Sequence, residues 1–152
     1  MHAIRLSKFF WPTALSLVLI SLIAAAQVKT FVPVTTEMLL NPSPDDWLMF
    51  SRTYDAQRYS PLREINKENV GQLEVAWRVD LPTGSTETIP TVYNGVMYTI
   101  VPDGSVRAFD ASTGAPIWQY KRGTANSRSK TLAIYEDMIY YTAPDSYVVA
   151  LD

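Results

Sequence analysis

The sequence predicts an all-β fold, an incomplete β-propeller of about one and three quarter four-stranded antiparallel blades. Three observations predict it. A stretch of strand-forming residues recurs at a fixed offset of 42 positions. Turn residues punctuate each copy at matching places. Aromatic residues reach 12%, with nine Tyr and four Trp, which suits pleated sheets better than helices. The 152 residues are 47% hydrophobic and 18% charged, enough apolar material for a core and not the composition of a disordered chain.

The first 26 residues are read as a leader and set aside. Arg5 and Lys8 form a short positive start, Phe9 to Ala26 is mostly apolar, and Ala24-Ala25-Ala26 offers a peptidase a small-residue site. An uncleaved anchor is the rival reading. The 18-residue run is marginal for about 30 Å of hydrocarbon, and Pro12, Ser16 and Ser21 weaken it further, so cleavage is favoured. Contact with a membrane is expected only through this segment, if it stays uncleaved. Export to the periplasm follows.

Residues 27–70 are expected to form an N-terminal extension of short helices and ordered loop. Thr35-Thr36-Glu37 can cap a short helix through Leu40, and the Asn41–Asp46 run with two prolines then breaks it. Asp46 to Leu62 has little periodicity. Asn66 can cap a single turn through Val70, ended by Gly71.

Residues 71–152 are expected to begin the propeller. Gly71–Val79 resembles an outer, fourth strand, with Trp77 placed 41 residues before Trp118. Residues 88–121 read as one full blade. Thr88–Tyr93 is a first strand, Asn94-Gly95 a tight hairpin and Val96–Val101 a second strand. Pro102-Asp103-Gly104 turns, Ser105–Asp110 is a third strand, and Ala115–Lys121, after the Ala111–Gly114 turn, is a fourth. Trp118 can fill the gap between neighbouring blades. Residues 130–152 read as a partial second blade. Val92–Asp110 aligns with Ile134–Asp152 without a gap, with seven of 19 positions identical, among them Tyr93/Tyr135, Pro102/Pro144, Asp103/Asp145 and Asp110/Asp152. The Trp-bearing strand that follows Asp110 has no counterpart after Asp152. A propeller closes with about four to eight blades, so the chain reads as the front piece of a longer protein.

Composition narrows the chemistry. A net charge of −2 argues against a nucleic-acid partner, which calls for a concentrated basic face. With no cysteine and one histidine, His2, inside the leader, this chain can build no disulfide, no thiolate or His-ligated metal site and no Ser-His-Asp triad.

The run Asp46–Trp77, with Asp46-Trp47, Arg58-Tyr59-Ser60-Pro61-Leu62, Ile65-Asn66 and Asn69-Val70, resembles the N-terminal signature of exported quinoprotein alcohol dehydrogenases. So does the following blade, with Glu87 shortly before Pro90 and with Ala108–Trp118. The likeness runs from about Val34 to Asp152. The resemblance implies an eight-bladed propeller that holds pyrroloquinoline quinone (PQQ) beside a calcium ion. It implies oxidation of a small alcohol-type substrate in the periplasm, with electrons passed to a cytochrome c or to quinone. A glutamate at the Glu87 position contacts the cofactor in that family. An arginine opening the next blade does so too; the matching position here is Lys130, with Arg128 a competitor two residues earlier. The PQQ carboxylates suit cations at such places. The adjacent cysteines common in alcohol-oxidising branches are missing from the corresponding loop, Arg122–Ser129, which leaves the substrate open. The resemblance places the calcium ligands and the catalytic base beyond residue 152, so no catalytic residue and no metal ligand is assigned in this chain. Asp103 and Asp145 are read as structural turn residues. A non-catalytic propeller of the same blade motif, serving as an envelope protein-assembly scaffold, is the alternative; a propeller hydrolase or sugar binder is a more distant one.

Overall fold

A computed structural model describes residues 30–123, 132–143 and 145–152. Seven strands form two antiparallel sheets. The first has β1 (Thr91–Tyr93), β2 (Val96–Ile100), β3 (Val106–Asp110) and β4 (Pro116–Tyr120) in the order β1-β2-β3-β4. The second has β5 (Ala133–Tyr135), β6 (Met138–Thr142) and β7 (Val148–Leu151) in the order β5-β6-β7. Each is a simple meander, as expected of propeller blades.

The 42-residue repeat holds at the level of individual hydrogen bonds. Gly104 N donates to the Val101 carbonyl at 2.8 Å, and Ser146 N donates to Ala143 at 3.1 Å. Val101 N donates to Ser105, and Ala143 N donates to Tyr147. The β1–β2 hairpin turns at Asn94 (φ 50°) and Gly95 (φ 81°), both left-handed, which is what a two-residue hairpin requires. Glu136, at φ 54°, takes the same role in the β5–β6 hairpin.

Alternation sorts the side chains. Tyr98, Ile100, Val106 and Ala108 share one face of the first sheet, and Ile134, Ile139 and Tyr141 share one face of the second. All belong to a single buried cluster, so the two sheets pack face to face. The Tyr120 and Tyr141 rings meet edge-on at 6.4 Å, and Trp118 lies 6.0 Å from Tyr98. Trp118 packs against this cluster. Burying side chains such as Ile100, Val106 and Ile134 stabilises the assembly by about 2 kcal/mol each.

The first strand starts later than the sequence suggests. Thr88–Tyr93 was the expected span, but the ladder begins at Thr91, directly after Pro90, which has no N–H to contribute. The outer strand expected at Gly71–Val79 is not formed. Val70–Gln72 makes a 3₁₀ turn and no strand follows it. That backbone meets no ladder among the described residues, and without a partner edge an extended segment gains no cross-strand bonds. It is held instead through Trp77, whose indole Nε1 donates to the Ala111 carbonyl at 3.1 Å.

The extension behaves as a clasp. Thr35 caps α1 (Thr36–Leu40) by accepting from Met38 N. Val34 then pairs with Glu136 of the second sheet, and Trp47 pairs with Val92 on the free edge of β1. The Tyr93 hydroxyl donates to the Val32 carbonyl at 2.6 Å. One short stretch of chain thereby touches both sheets and covers an edge that would otherwise be open.

Candidate functional site

In the first sheet β1 and β3 begin at the end where β2 and β4 finish, in the second β5 and β7 begin where β6 finishes, and the Arg122–Asp145 pair, which follows β4 and β6, brings these two ends together. Glu87 leads into β1 at this end. The Pro102–Ser105 turn between β2 and β3 and the Lys121-Arg122 pair that follows β4 lie at this end too. A cavity lined by Met38, Asp46, Tyr93 and Asn94 lies at the opposite end, by the β1–β2 hairpin, away from Glu87.

Glu87 is exposed and sits between two threonines. Thr88 N donates to Thr86 Oγ1 at 3.3 Å, which closes a hydroxyl-based turn with Glu87 in the middle. Thr86 Oγ1 also lies 3.0 Å from Thr88 Oγ1 and 3.4 Å from the carbonyl oxygen of Ile100, the last residue of β2. The approach is close: a Cβ built on Gly84 would come within 2.7 Å of Pro102 Cβ. The segment bearing Glu87 is therefore docked on the end of β2 by backbone proximity and by a hydroxyl.

The two Pro-Asp turns carry charge, and both charges are tied. Asp103 Oδ1 accepts from Ser105 Oγ at 2.6 Å and from Ser105 N at 3.1 Å, while Oδ2 pairs with Lys121 Nζ at 3.1 Å. The Ser105 hydroxyl, with help from its N–H and Lys121, holds the Asp103 carboxyl down at about 2. Asp145, its repeat equivalent, accepts from Arg122 Nε at 2.8 Å, and the Arg122 guanidinium lies 4.8 Å from the centre of the Tyr147 ring. Adjacent cations thus grip equivalent turns of the two sheets. A carboxylate so low in pKa is a poor proton acceptor near neutral pH, which agrees with reading Asp103 as structural.

Arg128 and Lys130 lie outside the described residues. The Arg122–Asp145 pair and the Thr86 turn were missed in the sequence reasoning. The first had a signal, since a dibasic pair sits between two copies of Pro-Asp; the second had none, because the Thr86 contact is made to a backbone carbonyl. Among the described residues, no group of three or more His, Cys, Asp or Glu side chains could hold a metal ion. No helix among them is long and apolar enough to cross a membrane.

Residues 47–152 match the family profile described as PQQ, glucose/ethanol/alcohol dehydrogenase, beta-propeller domain. The dehydrogenase subunit of the quinone alcohol dehydrogenase of Gluconobacter oxydans is 40% identical over 119 residues, covering 72% of this chain and 16% of that protein. The quinohemoprotein alcohol dehydrogenase ADH-IIG of Pseudomonas putida is 33% identical over 150 residues, covering 89% and 21%. Its solved structure superimposes with a TM-score of 0.71 at 34% identity, over 80% of this chain and 20% of that one. A europium-containing methanol dehydrogenase superimposes with a TM-score of 0.68 at 27% identity, over 76% and 23%. The chain spans between 16% and 21% of the length of these two curated relatives.

Proposed function

This chain belongs to the β-propeller family of PQQ glucose/ethanol/alcohol dehydrogenases, and from that premise we propose that it supplies two propeller sheets of an enzyme that oxidises an alcohol or related substrate. The observation that carries the reading is the joint match of sequence and fold to the P. putida enzyme. The scaffold reading is not favoured, because the relatives named above are dehydrogenases.

PQQ, when bound, supplies an ortho-quinone that takes up two electrons from the alcohol. Glu87 contacts it. A carboxylate is an acceptor, and the pyrrole N–H of PQQ is a donor that such a group satisfies well. The exposure of Glu87 and its fixed turn suit that task. Arg128 and Lys130 would provide positive charge for the cofactor carboxylates. Calcium, where the enzyme uses it, would be held by carboxylate and carboxamide groups outside these 152 residues. The electrons go to a cytochrome c or a quinone, as the names quinohemoprotein and alcohol dehydrogenase (quinone) suggest for the relatives. Export to the periplasm rests on the basic start, apolar run and Ala24–Ala26 site of the leader.

The test is reconstitution of the full-length apoprotein with PQQ and calcium, followed by equilibrium titration and a dye-linked alcohol assay. The protein takes up PQQ and turns over, and Glu87→Gln raises the PQQ Kd by roughly tenfold, the effect of losing a charge-assisted hydrogen bond. A full-length protein that takes up no PQQ overturns the reading.

A further inference from the structure

We propose that Thr86 is a positioning residue for Glu87: its hydroxyl locks the turn that presents the carboxylate and ties that turn to the end of β2. This rests on the reading of Glu87 as a cofactor contact.

Glu87 is the middle residue of a turn closed by Thr88 N donating to Thr86 Oγ1. That closure restricts the backbone on both sides of the carboxylate-bearing residue. The same oxygen reaches the Ile100 carbonyl. Ile100 is buried in the core shared by the two sheets and held by the β2–β3 ladder, so the anchor is rigid. The close approach of Gly84 to Pro102 fixes the same segment two residues earlier. Thr86 itself is exposed and outside any strand. Its hydroxyl is therefore not needed to fill the core, and its bonds converge on the placement of one neighbour. A contact group held in advance loses less conformational freedom when a ligand binds, which raises affinity without adding a contact.

The test is a double-mutant cycle on the full-length apoprotein, titrated with PQQ in the presence of calcium and read by tryptophan fluorescence. Thr86→Val keeps the shape and removes the hydroxyl; Thr86→Ser keeps the hydroxyl. Thr86→Val raises the PQQ Kd by about three- to tenfold, and Thr86→Ser stays within about twofold of the parent protein. The combined Thr86→Val, Glu87→Gln variant binds no worse than Glu87→Gln alone, because Thr86 acts only through Glu87. Circular dichroism confirms that each variant keeps its fold. If Glu87→Gln weakens binding but Thr86→Val does not, or if the two losses add, the inference about Thr86 fails and the role of Glu87 stands. If Glu87→Gln binds like the parent, the reading of Glu87 fails and takes the inference with it.

Discussion

Replacing Gly114 by Ala tests the packing that stands in for the unformed outer strand. Gly114 sits at φ +72°, and a Cβ built there lies 2.6 Å from Trp77 Cε3 and 2.7 Å from Cδ2. These are ring atoms of a rigid side chain, so the indole must move. Three costs follow. A left-handed alanine costs about 1 kcal/mol. Displacing the ring breaks the Trp77–Ala111 hydrogen bond, for about 1 kcal/mol more. Overpacking against the indole adds about 2 kcal/mol. Gly95 supplies the control, since it has φ +81° but nothing within 4 Å of its built Cβ. Gly114→Ala is therefore expected to destabilise by about 4 kcal/mol and Gly95→Ala by about 1 kcal/mol. Urea unfolding followed by far-UV circular dichroism measures both. In a Trp77→Ala background the Gly114→Ala cost falls to that of Gly95→Ala. Equal costs for the two glycine substitutions, or a Gly114 cost that survives loss of the indole, would show that the indole does not crowd Gly114.

Asp103→Asn gives a pH-dependent loss. The carboxyl is depressed to about 2 from 3.8, so its contribution is fully present above pH 4 and disappears as pH falls through about 2. Urea unfolding at stepped pH should give a deficit of about 1 kcal/mol at pH 6, reduced by solvent screening, that closes near pH 2; a deficit independent of pH contradicts the pairing with Ser105 and Lys121. Tyr141→Phe runs the other way. Among the described residues the buried Tyr141 hydroxyl has no hydrogen-bond partner, and burial pushes its pKa up. Removing it is neutral or stabilising by up to about 1 kcal/mol in the same assay, and a large loss means the hydroxyl has a partner.

The sequence carried the blades further than it carried their surroundings. Strands β1 to β3 and β5 to β7 were legible because Val92–Asp110 recurs as Ile134–Asp152, and matching turn residues can only close matching turns. The helix cap at Thr35 was legible because capping is local. The Gly71–Val79 strand misled because strand pattern records which face is apolar and says nothing of a partner edge. The pairing of Val34 with Glu136 and of Trp47 with Val92 left no trace, since backbone bridges between distant segments impose no side-chain rule. At the candidate site, Glu87 was picked out by resemblance alone. What holds it, the Thr86 hydroxyl and the Gly84–Pro102 approach, depends on tertiary distances that no spacing encodes.

Glu87, leading into β1, is proposed as a ligand of PQQ. A crystal structure of the full-length protein with PQQ and calcium measures it directly. The expected result is a Glu87 carboxylate oxygen within about 3 Å of a polar atom of the cofactor. PQQ bound with Glu87 out of contact, or bound away from the end of the sheets where β1 and β5 begin, would contradict it.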